Sequence, residues 1–536
     1  MTDGAMTDGV AEAPPPPPPP PPKEEEHSAV ASEVPADEAQ GAEVPTETAQ
    51  TRTLRVAAVG CLHGELDAVY RTIAYADAQC GRATDLVLIC GDVQASRDAR
   101  DLASMSVATF RRRFGDFQAY HDGRKRAPVL TLVVGGNHEA SLHFWDLYHG
   151  GWLAPNIFYL GTAAVVRCHG LRIAGVSGIA KPYDFARGYA CPPPDPAADP
   201  VRFENWCHSV YHLRAYEFFR LGTLAAPRDT PPGARLDVVL SHDWPAGMAL
   251  QGDTATLYRN KTDFRAEART LGSPALRDLL ARMEPRYWFA AHHHVKHAVL
   301  VHHPRGTETR FLALSKVLPR YDFLQLLDIT VPDGGGGGDS GGECSTPLAY
   351  DLEWLHSVHA TASLFPVGER QSFAFPAPGS PEARAFALAP GDVRVTDPAA
   401  LADLLRVPPC STTPGCVVDA PAVQQQRFLE LLQTLFGPFP LHPPFELPQH
   451  PQRRQCDVPV FQPVAPNPEE IPLDCGDGEG SDSSATSLLP ASSTANPEEI
   501  PLDCGDGEDS DRRDTLAASI LPAPSVANAE EIPLDG

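Results

Sequence analysis

Long apolar runs are absent from these 536 residues. No stretch reaches about 18 apolar residues, so no membrane-spanning helix is expected. The first residues, MTDGAMTDGV followed by nine prolines from Pro14 to Pro22, hold neither a basic nor an apolar stretch. A secretory signal is therefore not expected either. The 12 cysteines include no CxxC pair, which excludes the usual structural zinc modules, and in an intracellular chain they are mostly free thiols. Basic residues are scarce: 43 Lys and Arg stand against 69 Asp and Glu, a net charge of −26. They are nearly missing from the two ends. Residues 1–54 hold 2 basic and 11 acidic side chains and residues 455–536 hold 2 and 18, which leaves the 400 residues between them at −1. Within that core, residues 55–330 are mildly basic, 32 against 27. The acidic balance of the whole chain thus does not exclude a polyanionic partner.

Residues 1–53 are rich in Pro, Ala and Glu and are expected to be a disordered tail, its proline run a polyproline II rod of the kind SH3 and WW domains take. From Leu54 to about 330 the texture changes. Short apolar runs (LRVAAVG, DLVLICGD, VLTLVVGGNHE, RLDVVLSHDW, RYWFAAHHH) alternate with helical patterns such as LDAVYRTIAYADAQ. Continuous apolar runs bounded by glycine predict buried strands covered on both faces. The hairpin-like pair Val165–Cys168 and Leu171–Val176 argues for mixed rather than parallel sheets. The fold class predicted is an α/β sandwich. Residues 177–207, including KPYDFARGYACPPPDPAADPVRFENW, read as a long loop, aromatic and basic enough to be functional. Residues 331–347, with Gly334 to Gly338, read as a linker, and 348–447 as a small accessory domain with two helical stretches. Residues 448–536 read as a disordered acidic tail carrying NPEEIPLDCGDGE at Asn467 and Asn496 and NAEEIPLDG at Asn528. Each unit has too little apolar content to stack as a solenoid. The proline run and the tail motif are candidate sites for protein partners of unknown identity.

Five clusters fall where a predicted strand meets its loop. They are Gly60-Cys61-Leu62-His63-Gly64, Gly91-Asp92, Gly136-Asn137-His138-Glu139, His242, and His292-His293-His294. A lone histidine at a strand end is more often structural, and GD or GN pairs are common turn chemistry. Five in succession supply a thiol, imidazoles, a carboxylate and an amide oxygen, the donors that transition metals take. Asp92 is the natural bridge between two ions, because the other donors divide into two sets around it.

In order and type this constellation resembles the calcineurin-like metallophosphoesterases, whose blocks run DxH, GD, GNHE, H and GHxH. Cys61 stands where most of that superfamily has Asp, and Ala291 replaces the glycine of the last block. GDVQASR is not the GDxxDRG of the protein phosphatases. GCLHGELDAVY, LICGDVQASRDARDL, HGGWLAPNIFYLG, VSGIAKPYDF, LSHDWP, YWFAAHHHVKH and FLALSKVLPRYDFLQLLDI are similar to the RNA lariat debranching enzymes over about 55–330, with Ser315 in place of an expected Asp and His293 in place of an apolar residue.

The resemblance implies a sandwich of two mixed β-sheets flanked by helices, and hydrolysis of the 2′–5′ phosphodiester at the branch point of excised intron lariats. It implies two divalent cations, one on Cys61, His63, Asp92 and His294 and the other on Asp92, Asn137, His242 and His292, with His138 as general acid. His293, His297, His302 and His303 are expected to be non-ligands. A thiolate donor favours Fe²⁺ or Zn²⁺, with Mn²⁺ as a substitute in vitro. Residues 177–207 take the place of the family's lariat recognition loop, where Lys181 and Arg187 would meet phosphates and Tyr183, Phe185, Tyr189 and Trp206 would stack on bases. Tyr211, His212 and Arg214 resemble a family segment near the branch point. A nuclear location is expected from the resemblance alone, since Arg111–Arg113 lie inside the predicted fold and Arg453-Arg454 is too short a targeting run. Two other readings stay open: a dinuclear phosphodiesterase acting on nucleotides or other phosphodiesters, and a catalytically dead scaffold.

Overall fold

Strand β1 (Thr51–Val59) shows how the apolar runs become sheet. Successive side chains of a strand point to opposite faces. In β1, Leu54, Val56 and Ala58 enter one apolar cluster while Ala57 and Val59 enter another. This computed structural model describes residues 51–191, 193–224, 235–332, 348–389, 391–409 and 418–439. The expectations for the proline run, the Gly334–Gly338 stretch and the acidic tail with its repeats concern residues outside these.

Twelve more strands follow: β2 (Leu86–Ile89), β3 (Thr131–Val133), β4 (Gly151–Ala154), β5 (Ile157–Tyr159), β6 (Ala163–Cys168), β7 (Leu171–Val176), β8 (Val238–Ser241), β9 (Tyr287–Ala290), β10 (His297–His302), β11 (Glu308–Ala313), β12 (Leu324–Pro332) and β13 (Leu348–Tyr350). They form a six-stranded sheet, β12-β1-β2-β3-β5-β4, and a seven-stranded sheet, β10-β11-β9-β8-β7-β6-β13. Both are mixed. β1, β2, β3 and β5 run parallel with antiparallel strands at each edge, and β7, β8, β9 and β11 run parallel between antiparallel neighbours.

Two apolar layers result. One joins Val56, Leu88 and Leu132 of the first sheet to Val165, Ile173, Val239 and Phe289 of the second. The other packs Ala57, Val87 and Val133 under the helix Leu66–Cys80. That helix buries Leu66, Val69, Tyr70 and Ile73 at i, i+3, i+4 and i+7, and it ends at Gly81 in the left-handed conformation. Among the described residues no helix is long and apolar enough to cross a membrane.

Three expected boundaries move. β1 begins at Thr51, not Leu54, and Thr51–Thr53 pair with Thr330–Pro332 of β12. Their exposed polar side chains carry no apolar signal, and the backbone ladder alone sets the strand. The long loop at 177–207 contains the helix Pro200–Ser209, capped by the Asp199 carboxylate.

The described residues between Leu348 and Phe439 pack against the two sheets. β13 pairs with β6, and Trp354, Leu355, Val358, Phe428 and Leu432 belong to the same cluster as the two sheets. The helices Leu352–Ala360 and Pro421–Phe436 bury their apolar side chains in that cluster. Arg172 of β7 fixes this junction through a bidentate pair with Asp351, Nε to Oδ2 and Nη2 to Oδ1 both at 2.9 Å. Asp351 also caps the helix Leu352–Ala360.

Candidate metal centre

The C-terminal ends of β1, β2, β3, β8 and β9 carry the five clusters, and the sandwich brings these ends together. His63 N–H donates to Asp92 O (2.7 Å), and Ala291 N–H donates to His242 O (3.0 Å). His138 N–H donates to Asp92 Oδ1 (2.9 Å), and His292 N–H donates to Cys61 Sγ (3.1 Å). Glycine recurs because the loops touch. A Cβ at Gly136 would lie 2.1 Å from Asp92 Oδ1, and Gly91 holds φ +110 against the His242 ring. His63, Asp92, His292 and His294 themselves adopt φ between 50° and 65°. Such backbone is costly for non-glycine residues and persists where the surroundings dictate it, commonly at functional sites.

Ligand atoms of Cys61, His63, Asp92 and His294 all lie within 4.8 Å of one another. His63 Nε2 is 3.1 Å from His294 Nε2 and 3.6 Å from Asp92 Oδ2. On the other side, His242 Nε2 is 3.3 Å from Asp92 Oδ1 and 3.1 Å from Asn137 Oδ1, and its ring centroid lies 5.1 Å from that of His292. His242 Nδ1 meets the Cys90 carbonyl at 2.7 Å, which fixes the tautomer and leaves the Nε2 lone pair facing the carboxylate. The structure thus brings the six other expected ligands around the Asp92 carboxylate, which is 1% exposed. His138 stands beside it, Nδ1 to Asp92 Oδ2 at 3.2 Å, with 30% of its side chain exposed. His293 Nε2 lies 3.8 Å from Asp243, its ring against Trp244 and Phe264, and Asp243, His292 and His293 make a second close group.

Burial dominates the electrostatics. It lowers the imidazolium of His63 to about 4 and that of His294 to about 2, and it lowers His292 well below the usual histidine range. Burial would raise the Asp92 carboxyl, but His242, His138 and His63 outweigh it and hold the group ionised. Burial and the Asp92 charge push the Cys61 thiol well above its usual value. For His138, Asp92 overcomes burial and raises the imidazole.

This donor set fits divalent cations. Neutral imidazoles turn lone pairs onto a buried carboxylate and onto each other, and a thiol that resists ionisation alone becomes a thiolate beside a metal. The fold family likewise implies divalent metal ions.

The expected RNA contacts divide. Tyr183 is 59% exposed and Arg187 is exposed, 3.5 Å from Asp184. Lys181 and Tyr211 are half-buried. Trp206 is 3% exposed, stacked on Phe203 and edge-on to Trp145; Tyr189 is buried too, stacked on Phe365. His212 and Arg214 are buried behind the surface. His212 Nδ1 meets Asp184 Oδ2 at 2.7 Å, and Arg214 donates to the carbonyls of Ser209 and His212. Of these, Tyr183, Arg187, Tyr189, Trp206, His212 and Arg214 wall a cavity of about 540 Å³ that Arg202 and Arg370 also line.

Three supports escaped the sequence reading. Glu139 accepts N–H groups from Val93, Gln94 and Gly136 at 2.8, 2.8 and 2.9 Å, bracing the Asp92 loop against the Asn137 loop. Its place inside the GNHE block was the available signal. Asp243 accepts from Ala180 N–H, tying the 177–207 segment to the His242 loop. Ser315 Oγ donates to His294 O at 2.8 Å, so the serine found in place of Asp still holds a ligand loop.

Comparison with known proteins agrees with this geometry. The family model for calcineurin-like phosphoesterases matches residues 54–296, and that for the lariat debranching enzyme C-terminal domain matches residues 306–394. Proteins named lariat debranching enzyme are similar to the chain. The one from Mus musculus is 43% identical over 325 residues, 59% of this chain and 54% of that protein. The one from Homo sapiens is 43% identical over 330 residues, 59% and 55%. The one from Arabidopsis thaliana is 40% identical over 320 residues, 59% and 71%. The match thus spans about half the length of the two animal relatives.

Proposed function

The chain belongs to the lariat debranching enzyme family, within the calcineurin-like phosphoesterases, and on that premise we propose that it hydrolyses the 2′–5′ phosphodiester at the branch point of intron lariat RNA. The observation that carries this reading is the convergence of S, N and O donors from five loops on one buried carboxylate. Cys61, His63, Asp92 and His294 would hold one divalent cation, and Asp92, Asn137, His242 and His292 the other. Bound there, the pair supplies charge neutralisation for the phosphate oxygens and a water of lowered pKa. Fe²⁺ or Zn²⁺ suits the thiolate, with Mn²⁺ a substitute in vitro.

The chain's own residues do the rest. Asp92 and its neighbours fix where the phosphorus sits. Attack by hydroxide opposite the 2′-oxygen breaks the P–O2′ bond, leaving a 5′-phosphate and a free 2′-hydroxyl. His138, held at Nδ1 by Asp92, whose charge raises the imidazole above its ordinary value, gives the Nε2 proton to the departing 2′-oxygen. Tyr183 and Arg187 would take an arm of the RNA at the cavity. Branched RNA from splicing is the substrate class, and a nuclear location follows from that substrate.

The test uses the full chain, metal-loaded, on a synthetic branched RNA. Cleavage of the 2′–5′ bond with the 3′–5′ bonds intact is expected. His138→Ala should keep both metals but lose about 10²–10⁴-fold in rate on the branch, and far less on an activated aryl phosphodiester that needs no acid. Equal losses on both would remove His138 from the acid role. A metal-loaded protein that spares the branch yet hydrolyses nucleotides would replace debranching with the broader phosphodiesterase reading.

A further inference from the structure

Two aromatic–cation pairs outside residues 177–214 stand beside the candidate metal centre. The first is Phe110–Arg111, in the single helical turn Thr109–Arg111. Phe110 is 83% exposed, more than any other large apolar side chain among the described residues, and the Arg111 guanidinium lies 5.3 Å from its ring centroid. The second is Lys316–Tyr321, ammonium to ring centroid 5.9 Å, with Tyr321 also exposed.

Both pairs are tied to ligand loops. The chain leaving the first turn packs on Gly64, next to His63, where Asp116 N–H donates to Gly64 O at 2.9 Å. Next to Lys316, Ser315 Oγ donates to His294 O (2.8 Å) and Val317 N–H donates to Cys61 O (3.0 Å). A third cation, Lys261, precedes Phe264, whose ring lies 5.2 Å from that of His293. The three charges act on one centre. Burial, then Lys261 and Arg111, lower the Lys316 ammonium, while Lys316 acts on His63 and His294, and Arg111 on His138.

Nearby arginines have partners. Arg97 is paired with Asp101 and Arg113 with Glu65. Among the described residues, Arg111, Lys261 and Lys316 have no carboxylate partner. Cations without carboxylates, two of them set against exposed rings beside the same ligand loops, match the chemistry of a single-stranded nucleic acid, whose phosphates take the charges and whose bases take the rings.

We propose that Phe110, Arg111, Lys261, Lys316 and Tyr321 form a second single-strand RNA surface, separate from the cavity lined by Tyr183 and Arg187. The inference rests on the debranching reading for the kind of nucleic acid. A branch nucleotide carries three arms, and a single cavity does not hold them all.

The experiment measures anisotropy of a labelled, short, linear single-stranded RNA, which has no branch to cleave, with the metal-loaded full chain. Metal content and melting temperature establish that each variant is folded. Phe110→Ala and Tyr321→Ala should each weaken binding at least about fivefold, the low end for one stacked base. Arg111→Gln and Lys261→Gln should each reduce the slope of log affinity against log salt by about 0.7, a readout that a merely structural role would not move. Variants with wild-type affinity and slope, or a wild type that does not bind the linear RNA, would overturn the inference. If the wild type debranches while these variants bind normally, this surface falls and the functional reading stands. If the wild type binds linear RNA through these residues but leaves branches uncut, the functional reading falls and the surface stands.

Discussion

Replacing Glu139 with alanine should collapse the bracing between two ligand loops. Its carboxylate is buried and accepts three backbone N–H groups, from Val93 and Gln94 after β2 and from Gly136 after β3. Alanine leaves all three donors without a partner. A buried donor stranded in this way costs about 1–3 kcal/mol. Three of them, less what a water entering the space restores, come to about 3–6 kcal/mol. A domain is stable by about 5–15 kcal/mol in total, so the variant should be marginal. Glu139→Gln is a milder perturbation. Its amide oxygen can still accept from Val93 and Gly136, while its NH2 faces the Gln94 N–H, which costs the variant one bond, about 1–3 kcal/mol. Denaturant unfolding with and without metal, together with metal content, gives the order: wild type most stable, Gln intermediate, Ala least. Metal occupancy should fall in the same order, because Asp92 and Asn137 lose their common brace. An alanine variant within about 1 kcal/mol of wild type, or a glutamine variant as unstable as alanine, would refute the bracing argument.

Glu139 also predicts a pH dependence. Burial and the Asp92 charge hold its carboxyl up to about 7 in the metal-free protein, against an ordinary value of 4.5. The folded state therefore keeps a proton that the unfolded chain has released, and this contribution to stability falls as pH rises from about 4.5 to about 7. Across that window metal-free wild type should lose stability relative to Glu139→Gln as pH rises, whatever the lowered histidines add to both curves; parallel curves would remove Glu139 as its source. Asp92→Ala should empty both cation positions and abolish hydrolysis, measured by metal analysis beside activity. Cys61→Asp should keep some activity and move preference from Fe²⁺ or Zn²⁺ towards harder ions such as Mn²⁺; unchanged preference would take Cys61 out of the ligand set. Asp351→Ala should cost about 1.5–3 kcal/mol, because the buried Arg172 guanidinium loses its bidentate partner and keeps Glu353. If the segment from Leu348 is part of the same unit, that loss lowers a single melting transition and does not split it in two.

The candidate metal centre was legible because each donor sits at a strand end, and the first three of those strands are short apolar runs closed by glycine. That pattern is local. Gly91-Asp92 and Gly136-Asn137 announce loops that must pass close to one another, and a Cβ at Gly136 would in fact collide with Asp92. The RNA-facing residues were not legible in the same way, because an aromatic in an irregular stretch has the same composition whether it faces solvent or core. Trp206 illustrates the difficulty and its remedy. Asp199-Pro200 is a cap followed by a first-turn proline, and Phe203, Trp206 and Cys207 then recur at i, i+3 and i+4, a buried helical stripe inside what reads as a loop. The burial of His212 and Arg214 was not legible for a different reason. Their partner Asp184 lies 28 and 30 positions away, and no local pattern reveals a pairing that only the packed chain creates. The same holds for the segment beyond Gly334–Gly338. Glycines suggested a linker, but Trp354, Leu355 and Val358 need a surface to cover, and only Arg172, far upstream on β7, shows that the second sheet supplies it. Phe110 is the converse case. The single turn Thr109–Arg111 buries none of its residues, and an 83% exposed ring in it is a feature that only the folded chain could separate from the core. What sequence conveys about this chain is therefore the chemistry held at strand ends. What it leaves open is the side-chain destinations that would decide how a substrate is gripped.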